Sequence, residues 1–258
     1  MLTLSRVFFT FGGQMIIDKT NLVVLVPALN EQESVGQVLQ ELQSNGFHVL
    51  LISDGSQDAT ANIGRQLGVK VLDLPINLGV GGALRAGFKF AIWRGFCAAI
   101  QVDADGQHPI EEIENLITAA NEHNAHMVIG SRFLTGEMTM DVSRMRRLAM
   151  RVLSRSASAA AGTKITDSTS GFRLISEPLL SEFARQFANN YLGDTYESVI
   201  SAGRGNYKVI EIPARLAPRE HGESTASTGS AVRFTLKGLG VATLGLHKRL
   251  TPVESEDT

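Results

Sequence analysis

The first 130 residues alternate short apolar runs with amphipathic ones. Residues 21–27 form a β-branched run ended by proline, which predicts a buried first strand. Over residues 30–42, Val35, Val38, Leu39 and Leu42 recur at helical spacing, and Gly46 closes the predicted helix. A second strand is expected over 47–53, a second helix from Asp58, and a third strand over 69–74. A glycine-rich turn beginning at Asn77 leads into a third helix. Residues 95–102 are almost wholly apolar, as in a strand covered on both faces. Pro109 then opens a helix with acids in its first turn, where the helix dipole favours them, and 125–130 form a fifth strand. This rhythm predicts an α/β architecture with a mostly parallel central sheet flanked by helices.

After Arg132 the rhythm breaks. A basic helix is expected over 145–161, a short strand over 171–175, helices over 176–190 and 191–202, and an alternating strand over 207–213. No repeat or linker appears, so the second half is expected to cap the first. The predicted organisation is an N-terminal extension (1–20), a main domain (21–228), and a C-terminal amphipathic helix with an acidic tail (229–258). The extension is apolar with one early arginine and reads as an extension or an interfacial anchor. No run of 18 apolar residues occurs, so no conventional membrane span is expected.

Composition narrows the function. Of 258 residues 43% are hydrophobic and 19% charged, which excludes a disordered chain. A net charge of -2 lacks the overall basic field of nucleic-acid binders. A lone cysteine, Cys97, excludes an internal disulfide framework and fits a reducing compartment. The neutral total hides sorting: residues 101–130 carry six acids and no Lys or Arg, whereas residues 131–160 carry six arginines against two acids. Residues 203–250 hold eight basic residues against three acids.

In open α/β sheets ligands bind at the C-terminal ends of the strands. There the chain places PALNE from Pro27, DGS from Asp54, NLG from Asn77, DAD from Asp103, and Ser131 with Arg132. Neither the dinucleotide glycine fingerprint nor the P-loop is present. The segment DADGQHP from Asp103 is the sharpest feature. Two carboxylates one residue apart repel unless a cation compensates them, and Gln107 adds an oxygen donor, so Mg²⁺ or Mn²⁺ suits the set. A solvated acidic turn is the plain alternative. Asp54, at the sheet edge, is expected to offer a free carboxylate to a base or ribose hydroxyl. Arg85 and Arg132 are candidates for a bound diphosphate, with ordinary salt bridges as the alternative.

At these residues the sequence resembles the family 2 glycosyltransferases of the GT-A fold, in particular dolichyl-phosphate mannose synthases and bacterial polyprenyl-phosphate glycosyltransferases. The matching stretches, in family order, are PALNE from Pro27, DGS from Asp54, NLGVGGALRAG from Asn77, DADGQHP from Asp103, GSR from Gly130, DSTSGFR from Asp167, Glu197, and EIPARLAPREHGES from Glu211. Thr225 stands where many relatives have a lysine.

The resemblance implies an inverting enzyme that moves a sugar from a UDP- or GDP-sugar to a polyprenyl or dolichyl phosphate. It assigns Asp103, Asp105 and Gln107 to the metal. Pro27, Ala28, Asn30, Glu31, Asp54, Asn77, Gly82 and Ala104 fall to the donor. Arg132 and Arg219 are expected at the diphosphate, and Asp105, Arg132, Asp167 and Arg219 form the catalytic set. Arg173 is expected to shape the sugar side with Asp167. If the acceptor is a hydroxyl, Asp167 or Glu197 is the expected base. The basic helices at 144–160 and 234–250 are expected to lie at the cytoplasmic membrane face, directly or through a small membrane-protein partner, and a homo-oligomer is compatible with this. Two other readings are carried: a cytosolic glycosyltransferase acting on a soluble saccharide or other hydroxyl, and a non-catalytic nucleotide-sugar-binding or scaffold subunit.

Overall fold

The computed structural model describes residues 10–11, 14–134, 144–187, 194–215 and 250. Strands β1 (Thr10–Phe11) and β2 (Gln14–Met15) form a small antiparallel pair. The remaining strands are β3 (Leu22–Ala28), β4 (His48–Asp54), β5 (Lys70–Leu74), β6 (Ala98–Gln101), β7 (Met127–Ser131), β8 (Arg173–Ser176) and β9 (Val209–Pro213). They build one sheet in the order β5-β4-β3-β6-β8-β7-β9. Only β8 is antiparallel to its neighbours; the other pairings in this sheet are parallel.

The helices are α1 (Val35–Ser44), α2 (Thr60–Gln66), α3 (Gly79–Arg94), α4 (Glu112–His123), α5 (Arg144–Ala161), α6 (Leu179–Gln186) and α7 (Asp194–Arg204). Strand β3 shows how the two layers arise. Its Leu22, Val24 and Val26 join one buried cluster with α1 and α4, while Val23 and Leu25 join another with α3, α6 and α7. With both faces covered, every residue of β6 and β7 is buried, which explains their unbroken apolar runs.

Among the boundaries that differ from expectation, two shape the crevice. Strand β3 continues through Pro27 to Ala28, where it pairs on one side only, with Ile52 and Ser53; its pairing with β6 ends at Leu25. Helix α1 starts at Val35 instead of near Asn30, because Asn30 takes a left-handed backbone (φ 57°) that no helix continues through.

The chain runs from β3 outward to β5, then returns to place β6 on the other side of β3. That reversal opens a crevice at the C-terminal ends of β3 and β6. Because β8 runs the opposite way, its lead-in residues 167–172 arrive at this same edge. The N-terminal residues 1–9, the stretch around Arg219, and the predicted C-terminal helix and tail (229–249 and 251–258) lie outside the described residues.

Candidate active site

The exits of β3 and β4 are laced together. Ser56 Oγ accepts from Asn30 N (3.1 Å), and Asn30 Oδ1 accepts from Gln57 N (2.8 Å). Gln32 N donates to Asp58 Oδ2 (3.1 Å), and Glu31 N donates to Thr60 Oγ1 (2.9 Å). These bonds satisfy the backbone of two loops that leave parallel strands and hold the first wall of the crevice rigid. Asn30, expected at the donor, therefore spends its side-chain oxygen on the loop beside it.

Asp54 departs from expectation. Its carboxylate is not free: it is 4% exposed, and Oδ1 accepts from Leu78 N at 2.7 Å. It thereby ties the end of β4 to the turn that opens α3, where Asn77 Oδ1 accepts from Gly79 N (2.8 Å). Burial pushes the Asp54 carboxyl above its usual range, while the N–H groups of Leu78 and Gly79 pull the other way. Gly55 completes the joint: a Cβ there would fall 2.5 Å from Asn77 N. Gly82 is likewise a close approach, with Leu78 Cβ 2.5 Å from where its own Cβ would stand. Arg85, a candidate for the diphosphate, bonds to the protein itself: its Nη2 donates to the Arg185 carbonyl (2.6 Å) at the end of α6.

The acidic turn follows β6. Asp103 N donates to His108 Nδ1 (2.9 Å), and the buried imidazole stacks on Phe172 with ring centroids 4.9 Å apart. Asp103 Oδ1 accepts from Gln101 Nε2 (3.1 Å), and its side chain is 39% exposed. Asp105 Oδ1 accepts from Gln107 N (3.1 Å), and Gly106 takes a left-handed backbone (φ 76°), so the turn folds back on itself. Ala104 is buried beneath it. Gly171, in the lead-in to β8, leaves room for the Asp103 carboxylate: a Cβ there would lie 3.0 and 3.2 Å from its two oxygens.

The third wall comes from β7 and the lead-in to β8. Arg132 grips Asp167 in a two-pronged pair, Nε to Oδ2 at 2.8 Å and Nη2 to Oδ1 at 3.0 Å. Burial works against the Arg132 charge, but the Asp167 hydrogen bonds and the Asp167 and Asp103 charges outweigh it and hold the guanidinium firmly protonated. Arg173, expected to shape the sugar side, is instead a buried clamp. It donates to the carbonyls of Ser168, Ser170 and Thr195 and to Ser198 Oγ, all within 2.8 Å. Glu197 is buried on α7. Glu211, which opens one of the matching stretches without an expected role of its own, has a carboxylate that accepts from the N–H groups of Thr166 and Asp167.

Among the described residues, no three His, Cys, Asp or Glu side chains gather to hold a metal ion. Asp103 and Asp105 nevertheless fit Mg²⁺ or Mn²⁺. Such ions take one or two carboxylates and fill their remaining positions with water and substrate phosphate, so a two-carboxylate turn is the expected donor set. Glycine at 171 keeps a side chain from crowding the Asp103 carboxylate.

The crevice, the acidic turn and the mixed sheet define an α/β nucleotide-sugar transferase of the GT-A fold. Residues 23–183 match glycosyl transferase family 2, and the chain belongs to that family of enzymes. An uncharacterized protein of Methanocaldococcus jannaschii is 30% identical over 228 residues, 85% of this chain and 92% of that one. The polyprenol monophosphomannose synthase of Mycolicibacterium smegmatis is 29% identical over 242 residues, 88% of each chain. Among solved structures, the glucosyl-3-phosphoglycerate synthase of Mycobacterium tuberculosis has a TM-score of 0.65 at 18% identity. It covers 86% of this chain and 79% of its own, in a complex with Mn²⁺, UDP-glucose and phosphoglyceric acid.

These findings correct the expected partners. The acceptor in the solved synthase is phosphoglyceric acid, a soluble anion and not a lipid phosphate, so the lipid-phosphate acceptor and the membrane-surface role built on it are set aside. In helix α5, Leu153 and Ala157 are buried in the core cluster with residues of α7, and Ser156 Oγ meets Tyr196 Oη at 2.5 Å. No described helix is long and apolar enough to cross a membrane.

Proposed function

We propose that this enzyme transfers a sugar from a UDP-sugar to a hydroxyl group of a soluble acceptor, with Mg²⁺ or Mn²⁺ as cofactor. The observation that carries the reading is the convergence of Asp103 and Asp105, leaving β6, with the Arg132–Asp167 pair at the end of β7. The UDP-glucose, Mn²⁺ and phosphoglyceric acid held by the solved relative of the same fold support it.

In this reading Asp103, Asp105 and Gln107 would hold the ion at the donor side. When bound, the ion would supply Lewis-acid stabilisation of the charge that grows on the leaving group. Pro27, Ala28, Glu31, Asn77 and Ala104 line the donor side. Asn30, Asp54 and Gly82 brace it from behind. Arg132, fixed by Asp167, presents positive charge beside the acidic turn, where preorganised electrostatics lower a barrier most. Arg219 would add a second charge at the diphosphate. A hydroxyl acceptor must lose a proton. Asp167, buried with both oxygens engaged by Arg132, positions that arginine instead of accepting the proton. Glu197, buried on α7, is the other carboxylate proposed as base.

The test is turnover by purified protein across UDP- and GDP-sugars, with and without Mn²⁺. Acceptors would include phosphoglycerate, free sugars and a short polyprenyl phosphate. Metal-dependent release of UDP with a soluble acceptor is expected. Transfer only to the polyprenyl phosphate, only from GDP-sugars, or undiminished without metal would overturn the proposal.

A further inference from the structure

Strand β9 lies at the edge of the sheet, and Glu211 stands in it opposite Ile129 of β7. Its carboxylate faces the turn that precedes β8. Oε2 accepts from Thr166 N at 2.6 Å; Oε1 accepts from Asp167 N at 2.6 Å and from Thr166 Oγ1 at 3.0 Å. Two consecutive amides are thus held by one carboxylate, through bonds that charge makes shorter and stronger than neutral ones. Thr166 Oγ1 also meets Ser131 Oγ at 3.2 Å, tying the turn to the residue before Arg132.

The grip is passed on. Fixing both amides fixes the backbone on which Asp167 rides, and Asp167, with no exposed side-chain surface, holds the guanidinium of Arg132 by two bonds. A lone aspartate could swing with its turn; one whose backbone N–H is anchored from a neighbouring strand cannot. Arg132 in turn lies within the field of Asp103 on the acidic turn. Three elements that meet only in the folded sheet are thereby linked in series: β9, the lead-in to β8, and the exit of β7.

We infer that Glu211 is a positioning residue: through the Thr166–Asp167 turn it sets the guanidinium of Arg132 against the acidic turn. The kinetic part of this inference rests on the transferase reading above, in which Arg132 acts on charge formed during transfer.

Glu211→Gln keeps the volume but places an amide NH₂ against one backbone N–H, so one bond is lost. With a UDP-sugar substrate, kcat is expected to fall roughly ten- to a hundredfold, as for a positioning group displaced by up to about an ångström, while donor KM stays within about twofold. In an Arg132→Ala background the same substitution is expected to change kcat by less than about twofold, because its effect runs through Arg132. Independent effects that multiply, or an unchanged kcat, overturn the inference.

A second readout needs no turnover. The Arg132 Nε–H resonance, held by Asp167, is expected to shift and exchange faster with solvent in Glu211→Gln. An unmoved resonance overturns the inference even if no UDP-sugar is consumed; failure to consume any counts against the transferase reading alone. Should Glu211→Gln not fold, Thr166→Val removes only the hydroxyl bonds and is expected to move the same resonance in the same direction by less. No movement there also overturns it.

Discussion

Replacing Gly171 by alanine adds one methyl group where the lead-in to β8 meets the acidic turn. Its Cβ would fall 2.9 Å from Gln101 Nε2 and 3.0 Å from Asp103 Oδ2. Non-bonded carbon contacts are comfortable from about 3.5 Å, so the two side chains must retreat by roughly half an ångström. The 3.1 Å bond between them is then lost or stretched. Both are side-chain ends that can move, and Gly171 is not among the glycines with positive φ, so alanine adds no backbone strain. The stability cost is therefore about that of one hydrogen bond, ~1 kcal/mol. That lowers Tm by about 2–4 °C in a chain of this size.

The cost to activity is larger. A misplacement of about 1 Å costs on the order of a hundredfold, so half of that costs roughly tenfold in kcat/KM. Paramagnetic titration of Mn²⁺, steady-state kinetics with a UDP-sugar and a thermal melt would be run together. The expected pattern is a nearly unchanged Tm, weaker Mn²⁺ binding and a roughly tenfold slower enzyme. Wild-type Mn²⁺ affinity and turnover with the methyl in place would refute the assignment of Asp103. A loss of more than about 10 °C would refute the claim that side chains absorb the contact.

Other substitutions probe different parts of the molecule. In Gly203→Ala the Cβ would lie 2.4 Å from the Ala160 carbonyl oxygen, backbone against which no rotamer helps; α5 and α7 must part, at about 3 kcal/mol, and a melt should fall by about 6–12 °C. Asp105→Ala should abolish Mn²⁺-dependent turnover while leaving the melt within a few degrees, and undiminished activity would remove it from the metal site. Glu197→Gln should lower kcat by about 10²–10⁴-fold without weakening UDP binding, as loss of a base does; a wild-type kcat would exclude it. Burial raises the Asp54 carboxyl, so the folded protein keeps that proton longer than the unfolded chain. The resulting stability is present below the ordinary value of 3.8 and is lost as pH rises through the raised one. Urea melts at increasing pH across that window should show Asp54→Asn gaining on the wild type, and a pH-independent difference would refute the argument.

The first half of the fold was readable because it is local. Strands β3, β6 and β7 are buried on both faces and appear as apolar runs, and α1 shows its buried side in the spacing of Val35, Val38, Leu39 and Leu42. The place of β8 was not readable. Residues 173–176 can be recognised as a strand, but nothing nearby states that they slot between β6 and β7 in the opposite direction. The site divides in the same way. DADGQHP announces itself, since two adjacent carboxylates need a reason. Arg132 and Asp167 bond across 35 positions and Glu211 reaches Thr166 across 45, and a charged residue looks the same in sequence whether it meets substrate or a partner side chain. Arg173 and Asp54 show the difficulty: both stand in motifs at the crevice, and both also bond to the protein itself.

The reversed strand also governs how the molecule comes to be made. Among the described strands β7 pairs only with β8 and β9, so after residue 131 leaves the ribosome it has no seat in the sheet. Until residues 173–176 follow, β6 presents Ala98–Gln101 as an open edge of wholly buried-type residues beside an empty slot. Such an edge invites pairing with another chain. A nascent or truncated form ending after β7 and before residue 167 would therefore be aggregation-prone, and would also lack the glycine and the aspartate that complete the crevice. Closing that slot is a single late event in which the sheet loses its hazard and acquires its chemistry together.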